Sequence, residues 1–266
     1  MRAAWYERQG APEDVLQVGS LDVPEPTAGE VRVRIRASGV NPSDTYGRSG
    51  RQAPMAFARI IPHQDGSGVI DAVGEGVPAE RVGERVWVYE ATWNRPGGTA
   101  AEYSVVPRRA RTGHRKLRRQ GARRPRGRAD DTINYRSEDV VEAIKRLTDG
   151  AGVERIVDVD FGGNLSTTIQ ALKPDGVVAS YATRGEPEPK VPFRALMVKN
   201  LTVRAILVYT MPEAAKIAAA EDITRALEAG ALRPVIGQRL RLDDIAQAHK
   251  DVENGAVMGN TVLRLN

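Results

Sequence analysis

The chain has 266 residues, 41% apolar and 27% charged, with 26 Gly, 16 Pro and no cysteine. Zero cysteine excludes disulfides, thiol nucleophiles and cysteine-ligated zinc, and three histidines (His63, His114, His249) leave little for a histidine-rich metal site. The formal charge of +5 invites a nucleic-acid reading. However, eleven Lys/Arg and no acid lie between Arg108 and Arg128, which leaves 28 basic against 34 acidic groups elsewhere.

Residues 1–106 read as β-rich. Val31-Arg32-Val33-Arg34-Ile35-Arg36 alternates apolar and basic, the period of a strand with one buried face. Gly66 to Gly74 is a Gly-bounded apolar strand, and Gly83 sets a tight turn into Arg85-Val86-Trp87-Val88. Short strands at regular spacing predict a compact barrel-like domain. From about 129 the rhythm changes to alternating strands and helices. Thr132–Tyr135 is a short strand, and Ser137 with Glu138 and Asp139 opens a helix through Leu147. Ile156–Val159 is a continuous apolar-rich strand, and a helix near 164–173 stops at Pro174-Asp175-Gly176. Val177–Tyr181 and Leu201–Val208 are further strands, and 213–229 is an amphipathic helix ending at Gly230. A helix at Leu242–Val252 and a strand at Thr261–Leu265 close the chain. Alternating β and α elements predict a mostly parallel sheet covered by helices, so the fold class is α/β. No run approaches the ~18 apolar residues of a membrane span, and the first residues lack an apolar signal core. We therefore expect a cytoplasmic protein with no membrane partner.

Four stretches, in this order, resemble the medium-chain dehydrogenase/reductase superfamily, and within it the zeta-crystallin-like NADPH:quinone oxidoreductases. They are Gly39-Val40-Asn41-Pro42-Ser43-Asp44-Thr45-Tyr46, Pro62-His63-Gln64-Asp65-Gly66-Ser67-Gly68, Val82-Gly83-Glu84-Arg85-Val86-Trp87, and Ala246-Gln247-Ala248-His249 leading to Gly259–Leu263. The resemblance implies a GroES-like β-rich barrel domain, 1–107 with 236–266, for substrate and catalysis. It implies a Rossmann-type parallel-sheet domain over 129–235 for NADPH. Zinc-dependent relatives carry Cys where this chain has Asn41 and His where it has Gln64, so the resemblance implies a zinc-free site. Such a site suits a quinone, which is electron-poor enough to accept hydride without a Lewis acid. An enal or enone acceptor is the alternative substrate class, and the resemblance further implies a homodimer.

On the same basis Asn41, Tyr46 and Gln64 are the candidate catalytic residues, placed to hydrogen-bond an acceptor oxygen. Asp160, Phe161, Gly162, Tyr181 and Val208 are the candidate NADPH contacts, because ligands bind beyond the carboxyl ends of such strands. Arg48 serves either an anionic hydroquinone or a surface salt bridge. His63 is expected to be a packed or solvated residue and not a base, and His249, on the Leu242–Val252 helix, to be structural.

The family's second domain should open with a strand, a Gly-rich loop and a helix that hold the dinucleotide pyrophosphate. This chain has no G-x-G-x-x-G or A-x-x-G-x-x-G in that context. After Tyr103-Ser104-Val105-Val106-Pro107 it enters the basic stretch 108–128 and resumes at what resembles the family's third strand. On the order of 60 residues are missing, given that a βαβ unit alone needs ~30. The Rossmann-type domain is therefore expected to be incomplete, with weak or absent NADPH binding and exposed apolar surface. Thr112–Gly121 admits codons that, moved by one nucleotide, encode Arg-Val-Ile-Ala-Asn-Ser-Gly-Asp-Lys-Ala, a Rossmann-like strand and turn. The basic stretch thus reads as an out-of-frame translation of the missing strand. It has no aromatic residue for base stacking, so specific nucleic-acid binding is not expected. A non-enzymatic structural or interaction module remains the alternative function.

Overall fold

The computed structural model describes residues 1–51, 53–108 and 129–265. Residues 109–128 of the basic stretch, and with them its out-of-frame reading, lie outside the described residues. Two compact units divide the chain: Met1–Arg126 with Ile217–Asn266, and Gly127–Lys216.

In chain order the first unit begins with β1 (Arg2–Trp5), α1 (Pro12–Val15), β2 (Gln17–Ser20), β3 (Glu30–Val40), α2 (Pro42–Ser49), β4 (Asp65–Val73), β5 (Arg85–Val88) and β6 (Tyr103–Pro107). The second unit follows with α3 (Val140–Leu147), β7 (Val153–Asp158), α4 (Phe161–Ala171), β8 (Leu172–Ser180), α5 (Phe193–Val198) and β9 (Thr202–Ala205). Then come α6 (Glu213–Glu228), β10 (Ile236–Arg241), α7 (Ile245–Glu253) and β11 (Asn260–Arg264).

β3 organises the first unit. Its alternation buries Val31, Val33 and Ile35 completely, each worth about 1.5–3 kcal/mol of burial. It pairs antiparallel with β4 along one edge, and with β11 and β6 at the two ends of the other. β10 extends this sheet beyond β11 and β5 extends it beyond β4. One contiguous core runs from Ala4 and Val31 through Ile70 and Val88 to Ile245 and Leu263.

Within this core His63 and His249 stack, with Nε2 to Nε2 at 3.0 Å. Counting protons fixes their tautomers. Thr99 donates to the Asp65 carbonyl at 2.6 Å, so Ser38 must donate to Thr99 and accept from His63 Nδ1–H at 2.8 Å. His63 Nε2 is then a lone pair that accepts from His249 Nε2–H. His249 Nδ1 is left unprotonated and buried with no partner. Desolvation lowers both pKa values, to about 3 for His249, so the pair is neutral. Both histidines are packed and structural, as expected.

The second unit is thinner. β7, β8 and β9 form a three-stranded parallel sheet in that order, and its buried cluster is Leu165, Ile169 and Leu196, with Phe161, Ala195 and Leu201 against it. Among the described residues nothing pairs with the other edge of β7. Val157 is 79% exposed and Val159 54%, although strands of this class are usually covered on both faces.

Several local expectations are corrected here. Thr132–Tyr135 is not a strand, because a strand needs a neighbour's ladder and among the described residues no strand pairs with this segment. The cap of α3 is Asp139, whose carboxylate accepts from Val141 N and Glu142 N, and not Ser137. The α4 helix starts at Phe161 and ends at Ala171, so Pro174-Asp175-Gly176 fall inside β8. The strand expected at Leu201–Val208 stops at Ala205, and Val208 opens a 3-10 turn.

Candidate functional site

In the first unit the site begins where β3 ends. Asn41 caps α2 in extended conformation, with Pro42 in the first turn where a missing N–H costs nothing. Asp44, three residues on, reaches back to accept the Asn41 backbone N–H at 2.8 Å. The other Asp44 oxygen accepts from Gln64 N at 3.2 Å. Asn41 Nδ2 donates to Asp65 Oδ2 at 2.6 Å, and Gln64 Oε1 accepts from Thr92 N at 3.1 Å. The buried Asp44 carboxyl therefore bridges the backbones of Asn41 and Gln64, while Asp65 holds the Asn41 side chain and Thr92 the Gln64 side chain.

Those partners also orient the amides. With Oε1 of Gln64 fixed by a backbone donor, its NH2 is the end left to donate. Burial pushes the Asp44 carboxyl up, the Asn41 amide opposes this, and the Asp65 charge adds to it, giving about 8. Asp65 is likewise raised, first by burial, with the Asn41 side chain opposing and Glu90 adding. Tyr46 lies on α2, half-buried, with its carbonyl accepting from Arg51 N at 3.1 Å.

Arg48 is corrected. Its side chain is only 1% exposed and is ion-paired with Glu253 of α7, with a second bond to the Gly10 carbonyl. It is a buried tie between helices and neither a surface salt bridge nor a hydroquinone contact. Asp44, Asp65 and Thr92 carry the site's hydrogen bonds and were not singled out from sequence. The available signal was an acid three residues after an Asn-Pro helix start.

In the second unit the candidate cofactor residues gather where β7 and β8 end. Phe161 N donates to Ala182 O at 3.0 Å, Gly162 N to Thr183 Oγ1 at 3.2 Å, and Tyr181 N to Asp158 O at 3.2 Å. The Asp160 carboxylate accepts from Arg184 N at 2.6 Å and Gly185 N at 3.0 Å, and these amides hold its pKa below the usual range. Phe161 packs on the small core, Tyr181 is exposed, and Val208 sits in its own turn with Met211 N on its carbonyl.

This end of the sheet does not fit a tightly held dinucleotide. Its loop amides are spent on the chain itself, and the Glu186 carbonyl lies 2.0 Å from where a Cβ at Gly162 would be. Among the described residues no strand–Gly-loop–helix precedes β7 to cradle a pyrophosphate. Asn260 Nδ2 donates to the Val235 carbonyl at 3.0 Å.

An antiparallel sheet unit that carries the amide–carboxyl site, interrupted by a parallel-sheet unit, is the layout of a medium-chain dehydrogenase/reductase. Comparison with known families agrees: a zinc-binding dehydrogenase model matches residues 128–263 and an alcohol dehydrogenase GroES-like domain matches residues 27–114. The chain belongs to this superfamily of oxidoreductases. It is similar to quinone oxidoreductases of Lama guanicoe, 25% identical, and Homo sapiens, 26% identical, across 100% of this chain and 98% of each relative. The alignment to the first spans 330 positions against 266 residues, so about 64 positions have no counterpart here. In fold it is similar to an Escherichia coli quinone oxidoreductase complexed with NADPH, with TM-score 0.80, 20% identity and full coverage of both chains. Among the described residues no helix is long and apolar enough to cross a membrane.

Proposed function

We propose that this chain is a zinc-independent quinone reductase scaffold that keeps its acceptor-binding half and has lost much of its cofactor-holding half. The acceptor half comprises 1–107 with 236–266, and the cofactor half is 129–235. The carrying observation is the Gln64 amide, whose Oε1 is held by Thr92 N so that its NH2 is left for a ligand, beside the Asn41 amide held by Asp65. The Gln64 NH2 donates to a carbonyl oxygen of a quinone or enone, with Tyr46 beside it on α2, and a hydrogen bond there strengthens as negative charge builds on that oxygen. Amides are poor zinc ligands beside Cys and His, which supports a metal-free site. NADPH is the hydride donor implied by the relatives, with Asp160, Phe161, Gly162, Tyr181 and Val208 as its candidate contacts. The self-satisfied β7–β8 loops and the missing Gly-rich loop support weak capture of it. A cytoplasmic homodimer with no specific nucleic-acid partner completes this reading.

The test is NADPH oxidation in the presence of a quinone, by protein whose fold is confirmed by circular dichroism. The expected rate rises with NADPH without saturating and is indifferent to chelator. Zinc-stimulated oxidation of an alcohol would overturn it. The open edge of β7 favours a second reading, a non-enzymatic module. Folded protein with no quinone-dependent NADPH oxidation at any NADPH concentration is the outcome that selects it.

A further inference from the structure

His63, one position before Gln64, holds a backbone conformation that its residue type disfavours. Its φ is +77°, in the left-handed region, where a Cβ lowers the population roughly tenfold. The chain changes partners at this residue. Before it, the Ile61 and Pro62 carbonyls accept from Gly98 N at 2.9 Å and Ala100 N at 3.1 Å, and the His63 carbonyl itself accepts from Thr99 N at 3.0 Å. After it, the Gln64 carbonyl accepts from Ala91 N at 3.0 Å and its Oε1 from Thr92 N at 3.1 Å. The left-handed turn thus swings the chain off the 98–100 segment and onto the 91–92 loop, where Gln64 Oε1 is held and its NH2 is left to donate.

A strained residue persists only where its surroundings over-determine it. Here the fully buried ring does so, with Nδ1–H donating to Ser38 Oγ of β3 at 2.8 Å and Nε2 accepting from His249 of α7 at 3.0 Å. Gly98 closes the other side, because a Cβ there would lie 2.6 Å from the His63 carbonyl oxygen. We infer that His63 is a positioning residue for Gln64: its ring, tied to Ser38 and His249, holds the left-handed turn that aims the Gln64 amide at the acceptor. The identity of that acceptor rests on the quinone reading above, whereas the placement of Gln64 does not.

The experiment compares His63→Ala with His63→Gly in the full-length protein. Both lose the ring and its hydrogen bonds, and Gly leaves the larger cavity, so a packing role alone makes Gly the worse of the two. A positioning role reverses that order, because Gly adopts positive φ without strain. Amide hydrogen exchange by NMR reads Gln64 N–H and Thr92 N–H, whose hydrogen bonds fix Gln64, relative to the β10–β11 ladder. Protection at both should be about tenfold lower in His63→Ala than in His63→Gly. Ser38→Ala, a milder change that leaves residue 63 intact but strips the ring of one acceptor, should lower it about fivefold. Protection in His63→Gly no better than in His63→Ala, or unchanged in Ser38→Ala, would overturn the inference. Quenching of tryptophan emission by 1,4-naphthoquinone then reads the ligand, with affinity about tenfold weaker in His63→Ala than in His63→Gly. A parent protein that binds no naphthoquinone would overturn the quinone reading, while the exchange order still decides the role of His63.

Discussion

The two units obey the same physics with different completeness. In the first, β3 has a hydrogen-bonded neighbour on both edges and a core that runs across the whole sheet. In the second, three parallel strands rest on a three-residue buried cluster, and Val157 faces solvent in mid-strand. The strands of the first unit find their partners within it, whereas among the described residues nothing pairs with the outer edge of β7.

The largest effect we expect is on the barrel's buried ion pair. Arg48→Ala leaves Glu253 unpaired and should cost about 3 kcal/mol. All three tryptophans, Trp5, Trp87 and Trp93, lie in the first unit, so urea melts followed by tryptophan emission report it selectively. Leu165→Ala should cost the second unit about 2 kcal/mol, at the low end for such truncations because a thin core collapses readily. It should shift the circular dichroism transition and leave tryptophan emission in place. Coincident transitions in the parent protein would erase the distinction between the units.

Next in size is the response to pH. The folded pKa values of His63 and His249 are depressed, so the neutral pair stabilises fully above the unfolded value near 6.5. That contribution is lost as pH falls below it, by at most about 1.4 kcal/mol per pH unit for each histidine. Asp44 has the opposite sign: its folded pKa is raised to about 8, so stability declines as pH climbs from its unfolded value toward 8. Asp65, also raised, acts in the same direction as Asp44, so histidines and carboxyls oppose each other below 6.5 while above it only the carboxyls act and stability declines with pH. Urea midpoints between pH 5 and 8 check this, and stability that climbs from 6.5 to 8 would contradict it.

Smaller effects belong to the second unit. Asp139→Ala removes the cap of α3 and should cost about 1 kcal/mol, read as lost helical signal. Val157→Thr, on an exposed face, should change stability by under about 0.5 kcal/mol and raise solubility in light scattering. A cost of several kcal/mol there would mean that this face is covered.

How much was legible in the sequence follows from range. β3 was legible because Val31, Val33 and Ile35 alternate with arginines, a signal confined to one segment. Thr132–Tyr135 had strand composition, but composition does not supply the neighbour that makes a strand. Val208 extended an apolar run, yet the turn closed by Met211 N on its carbonyl ends the strand earlier. In the site, Asn41 and Gln64 were visible through resemblance. Asp65 and Thr92 became visible only once β4 and the loop after β5 brought them against those amides. Arg48 looked like a surface cation because its acid, Glu253, is 205 positions away.

The central claim is that the second unit no longer cradles a dinucleotide. Titrating the purified, folded protein with NADPH and following nucleotide fluorescence tests it directly. We predict a shallow, non-saturating signal, and tight stoichiometric binding would contradict the account.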